Sequence, residues 1–506
     1  MTKTSQNRLF TNMFSYFILQ IVTLLVGVVL PRLYLATYGS EVNGVISTVN
    51  SFITYFSYIE AGLGLSLIHS LYKPLSQNDF EGIDRILSFS KRQYQKISYI
   101  YFLLTMVLSA VFPLFRKVDS LTHMEFFSLI FVIGFYGAFD FYTMAKYRVL
   151  LTADKREYVI SYAMIIAQIL RFVFTWALLQ FEISVALVKI VPVLTVVIRS
   201  AILKIYVQKH YPGLTLKSPS LPDILITKNR WDALLLQISI NTSTALPVLV
   251  VSQILGYKEA NVYAVYSMAI SAAVAVVSSL SSGVAPFLGR KIALKENIGN
   301  IFQMYKIGIS FALTWVFSVC ACMILPFVKL YVSVVNDINY IVGSYAILFS
   351  LWGALHAFRI PATAIINAAA LYRENRMTNI TNLVLQIVLG TVLAFLFGIN
   401  GVLAAMIVAA LHRNISMAFI IERKLIPKTF AKSLLFQMTM CCIILAAYCC
   451  GSMILNLEHL TVAVWIVTAI QAAVILFGIC AIVYALLDVK VTKEMIRTVK
   501  NKLISK

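Results

Sequence analysis

The chain has 506 residues, 60% of them hydrophobic and only 12% charged, with a mean hydropathy of +0.85, which lies outside the soluble globular range. A formal net charge of +21 would point to nucleic acid in a soluble chain, but in a membrane protein the placement of Lys and Arg decides its meaning first. The longest polar interval, from Gln208 to Arg230, is Pro-rich and too short to bury a core of its own, so function is expected in or between membrane spans.

Apolar stretches of about 20 residues mark about fourteen expected spans: 10–35, 44–68, 97–115, 124–145, 158–180, 183–206, 233–255, 261–287, 305–331, 340–369, 379–398, 400–421, 433–455 and 461–487. Runs this long satisfy their backbone polar groups as helices, whereas barrel strands would alternate over about ten residues. The segment MTKTSQNRLF enters the first span without an A-x-A-like cleavage site and is expected to be an anchor. Alternate loops carry the basic residues: Lys73, Arg85, Lys91, Arg92 and Lys96, then Lys146, Arg148, Lys155 and Arg156, then Lys209, Lys217, Lys228 and Arg230. The opposite loops hold few, chiefly Arg116, Lys117, Lys258 and Lys329. This asymmetry predicts both termini in the cytoplasm and reads the basic excess as a topology signal, with no nucleic-acid partner. The seven Cys all lie in apolar runs without His at ligand spacing and read as small buried hydrophobes, not as disulfides or metal ligands.

A weak internal repeat recurs at an offset of about 220 residues. NRLF (7–10) precedes span one as NRWD (229–232) precedes span seven, and the turn GSEVNGV (39–45) corresponds to GYKEANVY (256–263). The expected fold is therefore an all-α polytopic membrane protein, with two six-helix lobes around a central cavity and two further helices. Its parts are an N-terminal lobe (1–206), a cytoplasmic linker (207–230), a C-terminal lobe (231–432), two additional spans (433–487) and a basic cytoplasmic tail (488–506). The tail sets Met495, Val499 and Leu503 among Lys and Arg at helical spacing, as for a helix lying on the anionic inner leaflet.

Charges inside spans are costly and mark function or internal pairing. Arg32, Arg171, Lys189, Arg199, Arg359 and Arg413 fall within expected spans, against Glu60 and Asp140 on the acidic side. Two deep acids cannot neutralise this set, and an unneutralised Arg cavity suits an anion, since the guanidinium fork matches phosphate or carboxylate. Lys189, close to a span end, is expected to snorkel. Small and polar residues share single helix faces: Asn12, Tyr16, Gln20, Thr23, Gly27 and Pro31 on span one, and Ser267, Ser271, Ser278 and Ser282 on span eight. Asn241 on span seven mirrors Gln20 on span one and joins the candidate substrate contacts. The Gly pair of EAGLG (60–64) allows close helix approach or a bend. No G-x-x-x-x-G-K-[ST] loop is present, and the short outer loops offer no catalytic carboxylate pair, so an enzyme such as an oligosaccharide polymerase is disfavoured.

The run LPRLYLATYGSEVNGVISTVNSFITYFSYIEAGLGLSLIHSLYKPL (30–75) resembles the opening of bacterial polysaccharide flippases. These are the Wzx-like branch of the superfamily that also holds the MATE drug exporters and the lipid II flippase. The resemblance implies a multi-pass protein of the bacterial cytoplasmic (inner) membrane that moves an undecaprenyl-diphosphate-linked oligosaccharide outward by alternating access, for capsule, O-antigen or exopolysaccharide synthesis. It implies no cofactor beyond a coupling ion, H+ or Na+. Its expected partners are the lipid-linked oligosaccharide, membrane lipids, and a polysaccharide polymerase and glycosyltransferases. Arg32, Arg359 and Glu60 match the family by motif or span; Arg171, Arg199 and Arg413 match only by their place in the lobes. Glu60 and Asp140 are expected to balance Arg charge or to serve the coupling ion. The rival is a MATE-type exporter of small molecules, whose cation cargo would want more acids than Arg.

Overall fold

The computed structural model describes residues 3–60, 63–181, 183–216, 230–281, 298–369, 371–427, 429–454 and 461–487, with scattered residues between 284 and 296 and Val489. The tail 490–506, the linker lysines Lys217 and Lys228, Ser282 and the side chain of Asn241 lie outside the described residues.

Within the described residues the chain is helical and has no strand. The first part comprises α1 (Lys3–Ser57), a 3-10 turn (Tyr58–Glu60), α2 (Leu63–Gln77), α3 (Phe80–Phe115), α4 (His123–Thr143), α5 (Ala145–Ala153), α6 (Glu157–Leu178), α7 (Val185–Val188) and α8 (Ile190–His210). The second comprises α9 (Arg230–Ile254), α10 (Tyr257–Ser281), α11 (Gly299–Tyr331), α12 (Gly343–Phe358), α13 (Ile360–Ala368), α14 (Tyr372–Lys424), α15 (Phe430–Ile454) and α16 (Val462–Leu487).

Eleven helices among the described residues are long and apolar enough to cross a membrane. Two of these, Thr11–Glu60 and Arg373–Lys424, run for 50 and 52 residues. At a rise of about 1.5 Å per residue each would exceed twice the bilayer's hydrocarbon thickness of about 30 Å. Each breaks at a glycine in the left-handed region, Gly39 (φ 78°) and Gly398 (φ 60°), where an L side chain is strained. Each rod is therefore two spans joined at one residue. Counting them so, and adding α9, recovers the fourteen spans expected from hydropathy. Gly256, in the turn that the sequence repeat aligns with Gly39, also has positive φ, at 138°.

Two compact units divide the chain, residues Met1–Asn241 and Thr242–Lys506. In unit 1, α1 packs on α6, α3 on α4, and α8 on both α4 and α6. In unit 2, α11 is the central helix, packed on α10, α12, α15 and α16, and α12 also packs on α14. Apolar burial gives little drive for helix association once helices are in lipid, so close contact and interhelical hydrogen bonds hold each unit. In unit 1, Ser98 donates to the Ala138 carbonyl at 2.7 Å, and Asn12 clasps the start of α6 by donating to Lys155 O and accepting from Tyr158 N. In unit 2, Gln386 donates to Ser243 and Asn261 to Tyr340, both at 2.7 Å, and the Trp315 indole donates to Ala473 O at 2.8 Å.

Two sequence expectations change. Cys480 is buried, but Cys442, Cys449 and Cys450 are exposed on α15. Of the polar stripe on span one, Asn12 is used in the clasp, while Tyr16, Gln20, Thr23 and Gly27 remain exposed.

The Gly398 turn sets a stability contrast. A Cβ on Gly401 would fall 1.9 Å from the Leu393 carbonyl oxygen, whereas one on Gly390 would meet nothing within 4 Å. Gly401→Ala should lower the thermal unfolding midpoint of the purified protein, while Gly390→Ala, gaining about 1 kcal/mol of helix propensity, should hold or raise it. Equal melts for the two variants would contradict this turn geometry.

Candidate functional site

In unit 1 the two interior acids meet two of the arginines. Glu60 closes the 3-10 turn between α1 and α2, and its carboxylate accepts a 2.6 Å hydrogen bond from the Tyr94 hydroxyl on α3. Gly64 keeps this contact open, since a Cβ there would stand 3.3 Å from the Tyr94 hydroxyl and 3.4 Å from the Glu60 oxygen. On α4, Asp140 accepts from Arg199 of α8 at 2.6 Å through one oxygen and pairs with Arg148 of α5 at 3.2 Å through the other. Arg148 is also within electrostatic range of Glu60. Two carboxylates thus stand against two guanidiniums. Arg148, expected in a cytoplasmic loop, lies instead on α5 against Asp140, because the chain after α4 stays helical and folds back onto α2 and α3.

Unit 2 has the opposite balance. α12 ends at Phe358, Arg359 is the hinge residue, and α13 resumes with Pro361 in its first turn. Proline has no N–H to donate and clashes with the preceding turn, so the break follows from the sequence. The hinge brings Arg359 Nη2 to 3.4 Å from His356 Nε2, while Arg413 of α14 places its Nη2 3.4 Å from His356 Nδ1. A neutral imidazole has one lone pair and one N–H, so it can accept from only one of the two guanidiniums. Arg413 is 2% exposed and His356 5%. The Nε atoms of both arginines and Oδ1 of Asn414 make no hydrogen bond, and no carboxylate pairs with either arginine among the described residues. Beside them a small cavity is lined by Lys306, Ser310, Phe358, Pro361, Asn414 and Thr429, among others. Lys306 is 6% exposed and reaches only the Thr429 carbonyl, at 3.5 Å.

Of the other expected residues, Arg32 lies half-buried on α1 beside Pro31. Arg171 lies half-buried on α6, in electrostatic range of Tyr34 and Lys189. Sequence reasoning missed three groups: Tyr94 as the Glu60 partner, His356 as the bridge between two arginines, and Lys306 as a buried charge. A Lys and a His inside apolar helices are visible signals, but Lys306 falls at the margin of its expected span and reads as cytoplasmic edge. Glu41 accepts from the backbone N–H groups of Asp119 and Ser120 at 3.1 and 3.0 Å and so fixes a turn. Just beyond the last turn of α8, the Tyr211 hydroxyl donates to Asp154 at 2.6 Å, and burial together with that bond pushes its pKa up. Among the described residues no group of three or more His, Cys, Asp or Glu converges as a metal site.

These two helical units define a multi-pass membrane protein. No protein-family model and no curated protein matches the chain. Solved structures do. The lipid II flippase MurJ in an inward closed conformation has a TM-score of 0.67 at 12% identity, covering 94% of this chain and 98% of its own. An inward-facing multidrug resistance MATE family transporter of the MOP superfamily has a TM-score of 0.64 at 13% identity, covering 83% and 95%. The eukaryotic MATE transporter AtDTX14 has a TM-score of 0.52 at 13% identity, covering 86% and 97%. The chain has the fold these transporters share.

The charge balance of the two units predicts stability changes of opposite sign. Asp140→Asn strands two guanidiniums and should destabilise unit 1 by about 3–5 kcal/mol. Arg413→Met removes a buried charge that has no counter-ion and should leave stability equal or higher. Thermal melts of the two purified variants check this; a loss of stability in Arg413→Met comparable to that in Asp140→Asn would contradict it.

Proposed function

We propose that the protein is a flippase that moves a lipid-linked, diphosphate-bearing oligosaccharide across the bacterial cytoplasmic membrane by alternating access. The observation that carries this reading is the Arg359–His356–Arg413 cluster, two guanidiniums on one imidazole with no carboxylate paired to them among the described residues. A diphosphate supplies the missing charge and enough acceptors for both forks. Arg359 lies 16 residues from the start of α12 and Arg413 lies 15 residues beyond the Gly398 turn, so both stand near mid-depth, where a translocating headgroup must be stabilised. The fold shared with MurJ and the MATE transporters supports a transporter over an enzyme, and the resemblance of residues 30–75 to polysaccharide flippases supports the oligosaccharide class.

The same fold serves multidrug exporters, and the charge of the interior supports an anionic cargo. A cation exporter needs a free interior carboxylate, and here Asp140 is held by two arginines while Glu60 is hydrogen-bonded to Tyr94 and faces Arg148. We assign Glu60 to charge balance, with an H+ or Na+ gradient as the drive and both termini in the cytoplasm. Polysaccharide polymerase and glycosyltransferases would supply and consume the cargo.

Arg359→Ala should abolish export of lipid-linked oligosaccharide from inverted vesicles or cells at normal expression. Arg359→Lys keeps the charge but loses the fork, and should retain activity reduced about tenfold. Wild-type export by Arg359→Ala would refute the assignment.

A further inference from the structure

Lys189 does not snorkel. It is 7% exposed, at the junction of α7 and α8, and its ammonium lies flat over the Tyr34 ring of α1, 3.7 Å from the centroid. Arg171, on the neighbouring α6, is in electrostatic range of both. Among the described residues no carboxylate pairs with either cation. An aromatic face attracts a cation by about 0.5–2 kcal/mol, which does not neutralise two of them. Arg171 Nε is buried without a hydrogen bond, and the adjacent hydroxyls of Tyr34 (2% exposed) and Thr175 (0% exposed) make no well-formed one. A cation pair and the adjoining hydroxyls of Tyr34 and Thr175 thus converge from three helices, with no carboxylate among the described residues to accept from the cations.

Depth identifies the class of anion. Arg171 is seven residues from the end of α6, Lys189 four from the start of α7, and Tyr34 five before the Gly39 turn. Those ends lie together, because the Tyr38 hydroxyl donates to the Ile183 carbonyl at 2.7 Å. At about 1.5 Å per residue the cluster sits roughly 6–10 Å inside one membrane face. That is within reach of a lipid phosphate.

We propose that Lys189, Arg171 and Tyr34 form a second anion site, in unit 1, that takes the phosphate of a lipid headgroup near one face of the membrane. The phosphate comes from a resident anionic phospholipid or from the diphosphate lipid at one end of its passage. Only the second source rests on the transport reading above.

The test is native mass spectrometry of the purified full-length protein with added phosphatidylglycerol, undecaprenyl diphosphate or diacylglycerol. Wild type and Arg359→Ala should each retain one phosphate lipid at this site. Lys189→Met, which keeps the apolar stem, should weaken that retention about tenfold, the equivalent of one charge-assisted hydrogen bond, with diacylglycerol unchanged. Arg171→Gln should weaken it similarly, so that a folding defect in one variant leaves the other to decide. Loss confined to phosphatidylglycerol assigns a resident lipid, and loss confined to undecaprenyl diphosphate assigns a transport station. Wild-type retention of both phosphate lipids by both variants overturns the site. Normal export by Arg359→Ala would defeat the flippase reading while leaving this retention assay unaffected.

Discussion

Two guanidiniums share one histidine in unit 2, and among the described residues no carboxylate answers them. Burying an ion costs several kcal/mol even after relaxation, and two like charges separated by an imidazole ring repel by about 2 kcal/mol at an effective dielectric of about 20. Such an arrangement persists only if the surrounding helices hold it. Asn414 helps to do so, donating to the Leu355 carbonyl at 2.9 Å and tying α14 to α12 beside the cluster. An anion that reached the cluster would recover that cost as affinity.

Unit 1 is the control experiment within the same chain. Its arginines Arg148 and Arg199 are paired with Asp140, and Glu60 adds a further negative charge near Arg148. The chain therefore has the means to neutralise buried arginine, and uses it at Arg148 and Arg199 but, among the described residues, not at Arg359 and Arg413. Local backbone breaks place both clusters: the 3-10 turn at Glu60 in unit 1, and the Arg359 hinge before Pro361 in unit 2. The first turns Glu60 towards Tyr94 of α3, and the second leaves Arg359 beside His356 one turn earlier.

Hydropathy made the spans legible, down to the two rods whose halves meet at Gly39 and Gly398, because an apolar run interrupted by a short turn rich in Gly and Asn has few other readings. The deep arginines were equally visible one by one. Their partners were not. Whether Arg199 meets Asp140, or Arg413 meets His356, depends on the rotation and register of helices far apart in sequence, which hydropathy does not encode. Arg148 was misplaced because a basic residue just past a span reads as a topology signal, and Lys189 because a Lys near a helix end is expected to reach for the headgroups. In the structure each turns inward, one to a carboxylate and the other to the Tyr34 ring.

The central claim is that unit 2 recognises phosphate charge and not the lipid tail. Titration calorimetry of the purified full-length protein with undecaprenyl diphosphate and with undecaprenol, at low and high salt, addresses it most directly. The account predicts that the diphosphate binds more tightly than the alcohol, that its advantage shrinks as salt rises, and that Arg413→Met reduces that advantage. Equal binding of diphosphate and alcohol, or a diphosphate advantage that survives Arg413→Met intact, would contradict it.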